Sequence, residues 1–463
     1  MRSTLRAQSW FTTALFSTAI TATCAACDLA EPLGDRVEEI LELPRDLGPP
    51  RSVFARRFVA PVWSAPDLEA PRLGYLRAGA VLQSTTSLPV AEDGCEGGWY
   101  ELDAGGFVCS GRDVTIFSGE RLPERRARQP DRDAVMPYEF ATVRKRTPLY
   151  RRLPAIDEIV EVLPEEPDGG VEAPAAEIDN PLVVRVLEPG FYVSLDRTFE
   201  RDGQTYWRTQ QNGFVPSEAL RRKAWSEFRG RPLDGTAWAL PVAVTRRGET
   251  KVYRANDRGK VRRTGHSLSQ RTWLPVGSRQ ELGGEVYLTT GDDRLVRAAD
   301  VRLVEPTAPP PEVAEGERWI DIDLENQVLV AYDWLQPRYV TLISSGRLKV
   351  PRPELDYRTP RGVFRIRAKH LTATMDDDEP GEPPYSLEDV PYVMYFKGAY
   401  AFHSAFWHDR FGRPRSHGCV NMAPYDAKWL YNWAGPDAPV GWHGVYATDD
   451  NPGTWVFIHG ETP

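Results

Sequence analysis

The fold is constrained most by how the apolar residues are parcelled. From about residue 56 onward they come as short strand-like runs, among them Phe58-Val59-Ala60, Ala80-Val81-Leu82, Trp99-Tyr100-Glu101-Leu102 and Phe107-Val108-Cys109, each cut off by glycine, proline or aspartate. Runs of that length between turn residues build short strands and hairpins, and leave little room for long helices. The 40 prolines and 37 glycines supply the breaks, and 14 tryptophans and 18 tyrosines suit small β cores. At 463 residues the chain exceeds what one core usually serves, so several small domains are expected in a mainly β protein. A composition 41% hydrophobic and 27% charged excludes both a polytopic membrane protein and a wholly disordered chain. The formal net charge of −9 provides no broad basic surface, which argues against nucleic acid as a partner.

The amino terminus points to a compartment. Arg2 and Arg6 precede an uncharged stretch from Trp10 to Ala26 that ends in small residues, the pattern of an export signal. The stretch is too short and too rich in threonine for a membrane span, which needs about 20 mainly apolar residues. Cys24-Ala25-Ala26-Cys27 resembles a bacterial lipoprotein box, which implies lipidation of Cys27 and a membrane anchor. Cys24 stands where that motif has an aliphatic residue, so ordinary signal cleavage is the alternative. Either route exports the chain to the cell envelope, the periplasm. Residues 1–26 are then the signal. Residues 27–55, acidic and proline-bearing with few apolar side chains, read as a tether.

Cys95 and Cys109 flank the Trp99–Leu102 run and the Gly105-Gly106 turn, which in an exported chain predicts a hairpin-scale disulfide; two buried thiols are the other option. Cys419 is then left without a partner, and an unpaired thiol in an exported protein asks for a reason. A weak repeat is visible, because Trp99 leads to Gly106-Phe107-Val108 and Trp207 leads to Gly213-Phe214-Val215. A third segment, with Lys251-Val252-Tyr253, Trp273-Leu274-Pro275-Val276-Gly277 and Val286-Tyr287-Leu288, matches it more loosely. The aromatic followed by Gly-Phe-Val resembles bacterial SH3-like domains. That resemblance implies small β-barrels over 56–118 and 138–222, with a third over 240–305, of a kind that in exported proteins often binds cell-wall peptides. Trp99 and Trp207 are expected as core plugs. The acidic run within 156–180 reads as a flexible insertion, and 306–316, with Pro306, Pro309, Pro310 and Pro311, as a stiff linker.

Beyond that linker, Trp319–Leu324 alternates and Gln327–Tyr332 returns after Glu325-Asn326, which predicts an opening hairpin. Tyr339–Ile343 and Val363–Ile366 supply further strands. Pro424 to Trp433, with Tyr425, Trp429, Leu430 and Trp433 at helical spacing, is expected as a helix whose stripe faces a core. The chemistry is concentrated in Phe402-His403-Ser404 and Ser416-His417-Gly418-Cys419-Val420-Asn421. A cysteine attacks an acyl carbon as the thiolate, and a neighbouring imidazole takes its proton and later returns it to the leaving amine. Glycine just before the nucleophile permits a tight turn that aims backbone amides at a developing oxyanion.

These residues resemble the L,D-transpeptidase (YkuD) family, whose signature is an upstream histidine, a spacer, Ser/Thr-His-Gly-Cys, a hydrophobic residue and Asn or Arg. Ser344-Ser345-Gly346 and Thr359-Pro360-Arg361-Gly362-Val363-Phe364 extend the match, which covers about 317 to 447. The resemblance implies a β-rich catalytic domain over 317–460. Within it Cys419 would be the nucleophile, His403 the base, and the Ser404 carbonyl the group that fixes the imidazole tautomer. The amides of His417, Gly418 and Cys419 would line the oxyanion hole, and Ser416, Asn421 and Arg415 would contact substrate. Twelve residues separate His403 from Ser416, a slightly shortened spacer. The implied reaction is acyl transfer on peptidoglycan peptide stems through a cysteine thioester. The acceptor would be a second stem, an envelope protein or water, and no metal or organic cofactor is required.

Two other readings start from the same residues. His403, His408, His417 and Cys419 lie within 17 residues and are all zinc-ligand types. Alternatively the chain is a wall-binding lipoprotein without turnover. His408 is expected at the surface or in a substrate loop, and His443 and His459 in structural roles. Residues 371–391, with Asp376-Asp377-Asp378-Glu379, form either a lid over the groove or a solvated acidic loop.

Overall fold

The computed structural model describes residues 48–117, 128–160, 180–233, 238–291, 293–348, 356–377 and 385–463, and over these most of the short apolar runs are strands; Phe58 and Val59, expected in one, are instead an exposed bend before the strand Ala60–Trp63. The export signal, Cys27, most of the tether, the bulk of the acidic insertion and residues 378–384 lie outside the described residues.

In the first module the strands Trp99–Glu101 and Phe107–Cys109 pair across the Gly105-Gly106 turn, with Trp99 opposite Cys109. Cys95 and Cys109 form a disulfide, as expected. Trp99 is fully buried beside it, edge-on to Trp63, and the two indoles with the disulfide form a small apolar cluster of their own. Strand β1 (Arg72–Leu76) belongs to this module. In the second module β2 (Glu139–Val143) pairs with β3 (Tyr192–Arg201), and the repeat reappears with Trp207 opposite Val215. Trp207 is only half-buried, beneath the Arg222 guanidinium, so the second plug is looser than expected. Residues 242–304 divide between a three-stranded sheet (Val242–Thr245, Trp273–Pro275, Val301–Val304) and a five-stranded sheet within Thr250–Arg297.

The carboxy-terminal domain opens with the expected hairpin, β4 (Arg318–Asp323) and β5 (Val328–Asp333), followed by β6 (Gln336–Ser344). Next come β7 (Gly362–Arg365), a long hairpin of β8 (Ala368–Asp377) and β9 (Tyr385–Lys397), then β10 (Tyr400–Ser404) and β11 (Val420–Met422). Helix α1 (Pro424–Trp433), β12 (Gly444–Tyr446) and β13 (Trp455–His459) complete it. β13 lies parallel to β4 and antiparallel to β7, while β10 bridges β9 and β11. Ile320, Ile322, Leu329, Ile343, Met394, Phe402 and Leu430 fill the core between sheet and helix. The helix begins and ends where its periodicity placed it, but its stripe is rotated. Leu430 is buried with Ala427 and Tyr431, whereas Trp429 and Trp433 stack on each other half-exposed.

Asp426, on that helix, is fully buried. Its carboxylate accepts the Tyr339 hydroxyl at 2.7 Å, the Thr341 hydroxyl and the Gly230 N–H at 2.8 Å, and burial pushes it up to about 6.

Leu47–Pro463 forms one compact unit, because the upstream modules share cores with the carboxy-terminal domain. Trp442 and Val445 sit in the core of the first module, and β1 pairs with β12 through Gly74↔Val445 and Tyr75↔Gly444. Val242, Val244 and Trp273 of the third segment pack with Trp319, Val328 and Val340. Pro306 to Gly316, expected as a stiff spacer, is laid against the domain instead. Val313 is buried in that shared core, and the Thr307 hydroxyl donates to Asp321 at 2.8 Å while its N–H donates to the Tyr332 hydroxyl at 3.1 Å.

A buried polar cluster joins the first two modules to the β8–β9 hairpin. Asp389 pairs with Arg77 and accepts the hydroxyls of Ser194 at 2.6 Å and Thr372 at 2.8 Å. Burial opposes its ionisation, but the Arg77 guanidinium and these hydrogen bonds hold the carboxyl below its usual range. Glu388 beside it accepts the Ser194 N–H at 3.3 Å and pairs with Arg185 at 3.1 Å; burial outweighs these partners and pushes its carboxyl up to about 7. The hairpin is therefore clamped from outside the carboxy-terminal domain.

Candidate active site

Parallel pairing of β10 with β11 sets His403 opposite Asn421 and Phe402 opposite Val420, so Cys419, the residue entering β11, lies on the strand beside that of His403. Both line a groove of about 530 Å³. His403 is 2% exposed, and its Nδ1 lies 3.3 Å from the Ser404 carbonyl. A carbonyl only accepts, so Nδ1 carries the proton and Nε2 is left as the acceptor, the tautomer a base requires. Trp407 stacks on the ring at 5.6 Å. Burial pushes the imidazole down to about 4, with the Ser404 carbonyl opposing. Cys419 is half-exposed to the groove but ringed by protein, and desolvation pushes its thiol up to about 11, with a backbone hydrogen bond to Ala401 opposing. The resting pair is thus a neutral thiol and a neutral imidazole.

The nucleophile loop is held by its own backbone. Gly418 has φ +124°, and a Cβ there would lie 2.4 Å from Tyr400 Cε1, so both conformation and space require glycine. The Gly418 N–H donates to Ser416 Oγ at 3.0 Å, and the Ser416 hydroxyl donates to the Cys419 carbonyl. Thr359 Oγ1 donates to the Gly418 carbonyl at 2.8 Å and accepts the Gly346 N–H at 2.9 Å. The Ser345 carbonyl accepts the N–H groups of Arg415 and Ser416 at 2.8 and 3.0 Å. The serine-glycine pair after β6 and the Thr-Pro-x-Gly segment are therefore the cradle of the loop.

Several expected roles change. Ser416, expected at the substrate, does line the groove, while its hydroxyl closes the turn and the residue is 7% exposed. Gly418 was expected to offer its amide to an oxyanion, and that N–H is occupied by Ser416. Asn421 borders the groove yet is 3% exposed, its carboxamide 3.1 Å from His408 Nε2. His408 is buried rather than at the surface; burial, with the nearby Arg415, pushes it down to about 3. His417 is a packing residue: Arg347 donates to its Nε2 at 3.0 Å, Tyr385 stacks on it at 5.3 Å and Tyr357 meets it edge-on at 4.4 Å. Because Tyr385 begins β9, this ring fastens the hairpin over the groove. Of the segment expected as a lid or an acidic loop, the described residues 371–377 and 385–391 are paired antiparallel strands whose Met375, Tyr385 and Leu387 line the groove, while Asp378 and Glu379 lie outside the described residues. Arg415 lies at the rim, where substrate contact was expected. The zinc reading loses its ligand set. His403, His408 and His417 have separate partners in Ser404, Asn421 and Arg347, and among the described residues no three His, Cys, Asp or Glu side chains group as a metal site.

Two groove residues, Gly190 and Tyr192, come from β3 and the turn before it in the second module. No local pattern marks them, because their place depends on Tyr192 pairing with Leu387 across the domain boundary. His443 and His459 have the structural roles expected, the first buried against Thr372 at 3.0 Å and the second 2.9 Å from Asp321.

The model of the L,D-transpeptidase catalytic domain, YkuD, matches residues 317–458. The putative L,D-transpeptidase YciB of Bacillus subtilis strain 168 is 26% identical over 136 residues, 26% of this chain and 63% of that protein, so the chain spans less than two thirds of that relative. The solved catalytic domain of the E. faecium L,D-transpeptidase shares 25% identity over 31% of this chain and 98% of its own, with a TM-score of 0.23. An L,D-transpeptidase from Stackebrandtia nassauensis shares 22% over 33% and 60%, with a TM-score of 0.23. Residues 317–458 are an L,D-transpeptidase catalytic domain of the YkuD family.

Proposed function

We propose that this chain is a cysteine-dependent L,D-transpeptidase acting on the tetrapeptide stems of peptidoglycan. The observation that supports this most is a free thiol, Cys419, in one groove with a buried imidazole, His403, whose Nδ1 is committed to a backbone carbonyl. In the first step Sγ attacks the carbonyl carbon of the amide after the third, diamino-acid residue, and its proton passes to His403 Nε2. The C–S bond forms, the C–N bond breaks, and His403 returns the proton to the departing D-alanine amine. The raised thiol and lowered imidazole mean that this proton moves as the bond forms rather than before it. With the Gly418 N–H engaged in the turn, the oxyanion is assigned to the amides of Cys419 and His417. In the second step an amine attacks the thioester and gives a proton to His403; the C–N bond forms, the C–S bond breaks, and His403 returns the proton to Sγ of Cys419. A side-chain amine of another stem gives a 3→3 crosslink, an amine on an envelope protein gives attachment, and water gives carboxypeptidase activity.

Export to the envelope, with Cys27 as lipid anchor, is proposed from residues 1–27 alone. The upstream modules are proposed as SH3-like units. Mass spectrometry of the mature protein with disaccharide-tetrapeptide muropeptides tests the reaction. Loss of D-alanine, with dimers or tripeptides that vanish in Cys419→Ala, is the expected result. A folded protein that releases no D-alanine from muropeptides, sacculi or sacculi with envelope proteins would move the assignment to a wall-binding protein without turnover. A carbapenem should add one adduct mass to the parent and none to Cys419→Ala.

A further inference from the structure

The groove is not built by the catalytic domain alone. Pairing of Tyr192 in β3 with Leu387 in β9 carries the second module to the edge of the hairpin, and Gly190 and Tyr192 become part of the groove wall. The position is rigid. Ser194, two residues on, bonds through its N–H to Glu388 and through its hydroxyl to Asp389, while the Tyr192 ring meets Phe406 edge-on at 5.6 Å and Phe406 stacks on Phe140. Tyr192 is half-buried, with its neighbours fixed on both sides.

Arg415 lines the same groove and is exposed. Among the described residues no carboxylate pairs with it. The charges that act on it, Arg410 and Arg347, are both of its own sign, and Tyr192 lines the same groove wall. Arg347 is already engaged with His417. A guanidinium held among like charges at the rim of a groove, with a phenol on the same wall, is a site that an anion completes. A planar carboxylate matches the guanidinium fork while accepting a third hydrogen bond from the phenol.

We propose that Tyr192 and Arg415 together bind a carboxylate of the acyl-donor peptide, so that the second module supplies a specificity-determining residue to the catalytic groove. This rests on the acyl-transfer reading, since the donor peptide is the ligand that brings carboxylates beside Cys419. Two carboxylates are chemically equivalent candidates, the terminal one on the departing D-alanine and the one on the side chain of the third residue.

The test uses full-length parent, Tyr192→Phe, Arg415→Gln and Arg415→Lys. D-alanine release is followed with three donors: the tetrapeptide, its carboxy-terminal amide, and the form amidated on the third residue. With the tetrapeptide, KM should rise about tenfold in Arg415→Gln and several-fold in Tyr192→Phe, with kcat changed less and Arg415→Lys intermediate. One of the two amidated donors should raise KM for the parent and abolish the difference between parent and variants, which names the carboxylate. Equal KM in parent and variants, or a rise of the same size with all three donors, would overturn the proposal. So would variants that lose kcat alone, which would place these residues at the chemistry. Calorimetric binding of the tetrapeptide to Cys419→Ala, alone and with Tyr192→Phe, separates the two levels of the argument. D-alanine release by the parent with unchanged binding in the double variant removes only this inference. Neither release nor binding removes the acyl-transfer reading and this one together.

Discussion

Thr359 Oγ1 bridges the loop before Cys419 and the end of β6, 2.8 Å from the Gly418 carbonyl to which it donates and 2.9 Å from the Gly346 nitrogen whose proton it accepts. One buried hydroxyl therefore locks the peptide before the nucleophile to the end of β6. Thr359→Val keeps the shape and leaves a buried N–H and a buried carbonyl without this partner, at about 1 to 3 kcal/mol each. The expected outcome is a kcat lowered about ten- to a hundredfold with a smaller change in KM, together with a lower melting temperature. Thr359→Ser should recover most of kcat.

Cys419 and His403 titrate away from each other. With the thiol up at about 11 and the imidazole down at about 4, the thiolate fraction of the resting protein should climb about tenfold per pH unit between pH 6 and 9. Iodoacetamide alkylation of Cys419, read by intact mass with the disulfide left oxidised, should follow that slope. A plateau in rate between pH 5 and 8 would reveal a thiolate–imidazolium pair instead.

Gly418→Ala combines a positive φ with a Cβ set 2.4 Å from the Tyr400 ring. The chain should still fold, because the loop lies at a groove edge, but the nucleophile should be displaced and D-alanine release should drop at least a hundredfold. Adding Tyr400→Leu removes the ring clash and leaves the backbone strain, so only part of the activity should return.

Glu388 should make stability depend on pH. Its folded value, about 7, is raised above the ordinary 4.5, so between these values the folded state holds a proton that the unfolded chain has released. The contribution of this group to stability therefore falls as pH rises through that window, by about 3 kcal/mol in total. Glu388→Gln cannot ionise. Denaturant unfolding should find it more stable than the parent at pH 8, with the difference shrinking at pH 4.5; a difference constant across that range would count against this assignment.

The Cys95–Cys109 disulfide closes a segment with a sequence separation of 14 residues, a loop size for which loss of the cross-link costs about 3 kcal/mol. The double variant Cys95→Ser, Cys109→Ser should lower the melting temperature while D-alanine release at 25 °C stays near the parent value, since the groove lies in other elements.

What could be read from residue order was whatever has a local period or a fixed spacing. The β4–β5 hairpin, the helix at Pro424–Trp433, the Cys95–Cys109 pair, and the approach of His403 to Cys419 all belong to that class. What escaped depends on directions that residue type does not encode. Ser416 faces inward because the φ of Gly418 turns its N–H back onto that hydroxyl. Asn421 meets His408 because β11 enters the sheet beside β10. The burial of Asp426 is offset by Tyr339, Thr341 and Gly230, which are remote in the chain. Pairings between domains, such as Tyr192 with Leu387, leave no periodic trace at either end.

Trp442 and Val445 illustrate what shared interiors do to modularity. Both lie in the carboxy-terminal domain, yet they complete the core of the module that begins the described chain. An excision at residue 317 would leave that indole and its neighbours as an apolar patch facing water, and the first module with an open end. Two insoluble halves are the expected result of such a cut. The upstream modules and the carboxy-terminal domain therefore share one packed interior, so that a substitution in either is judged by the packing of both.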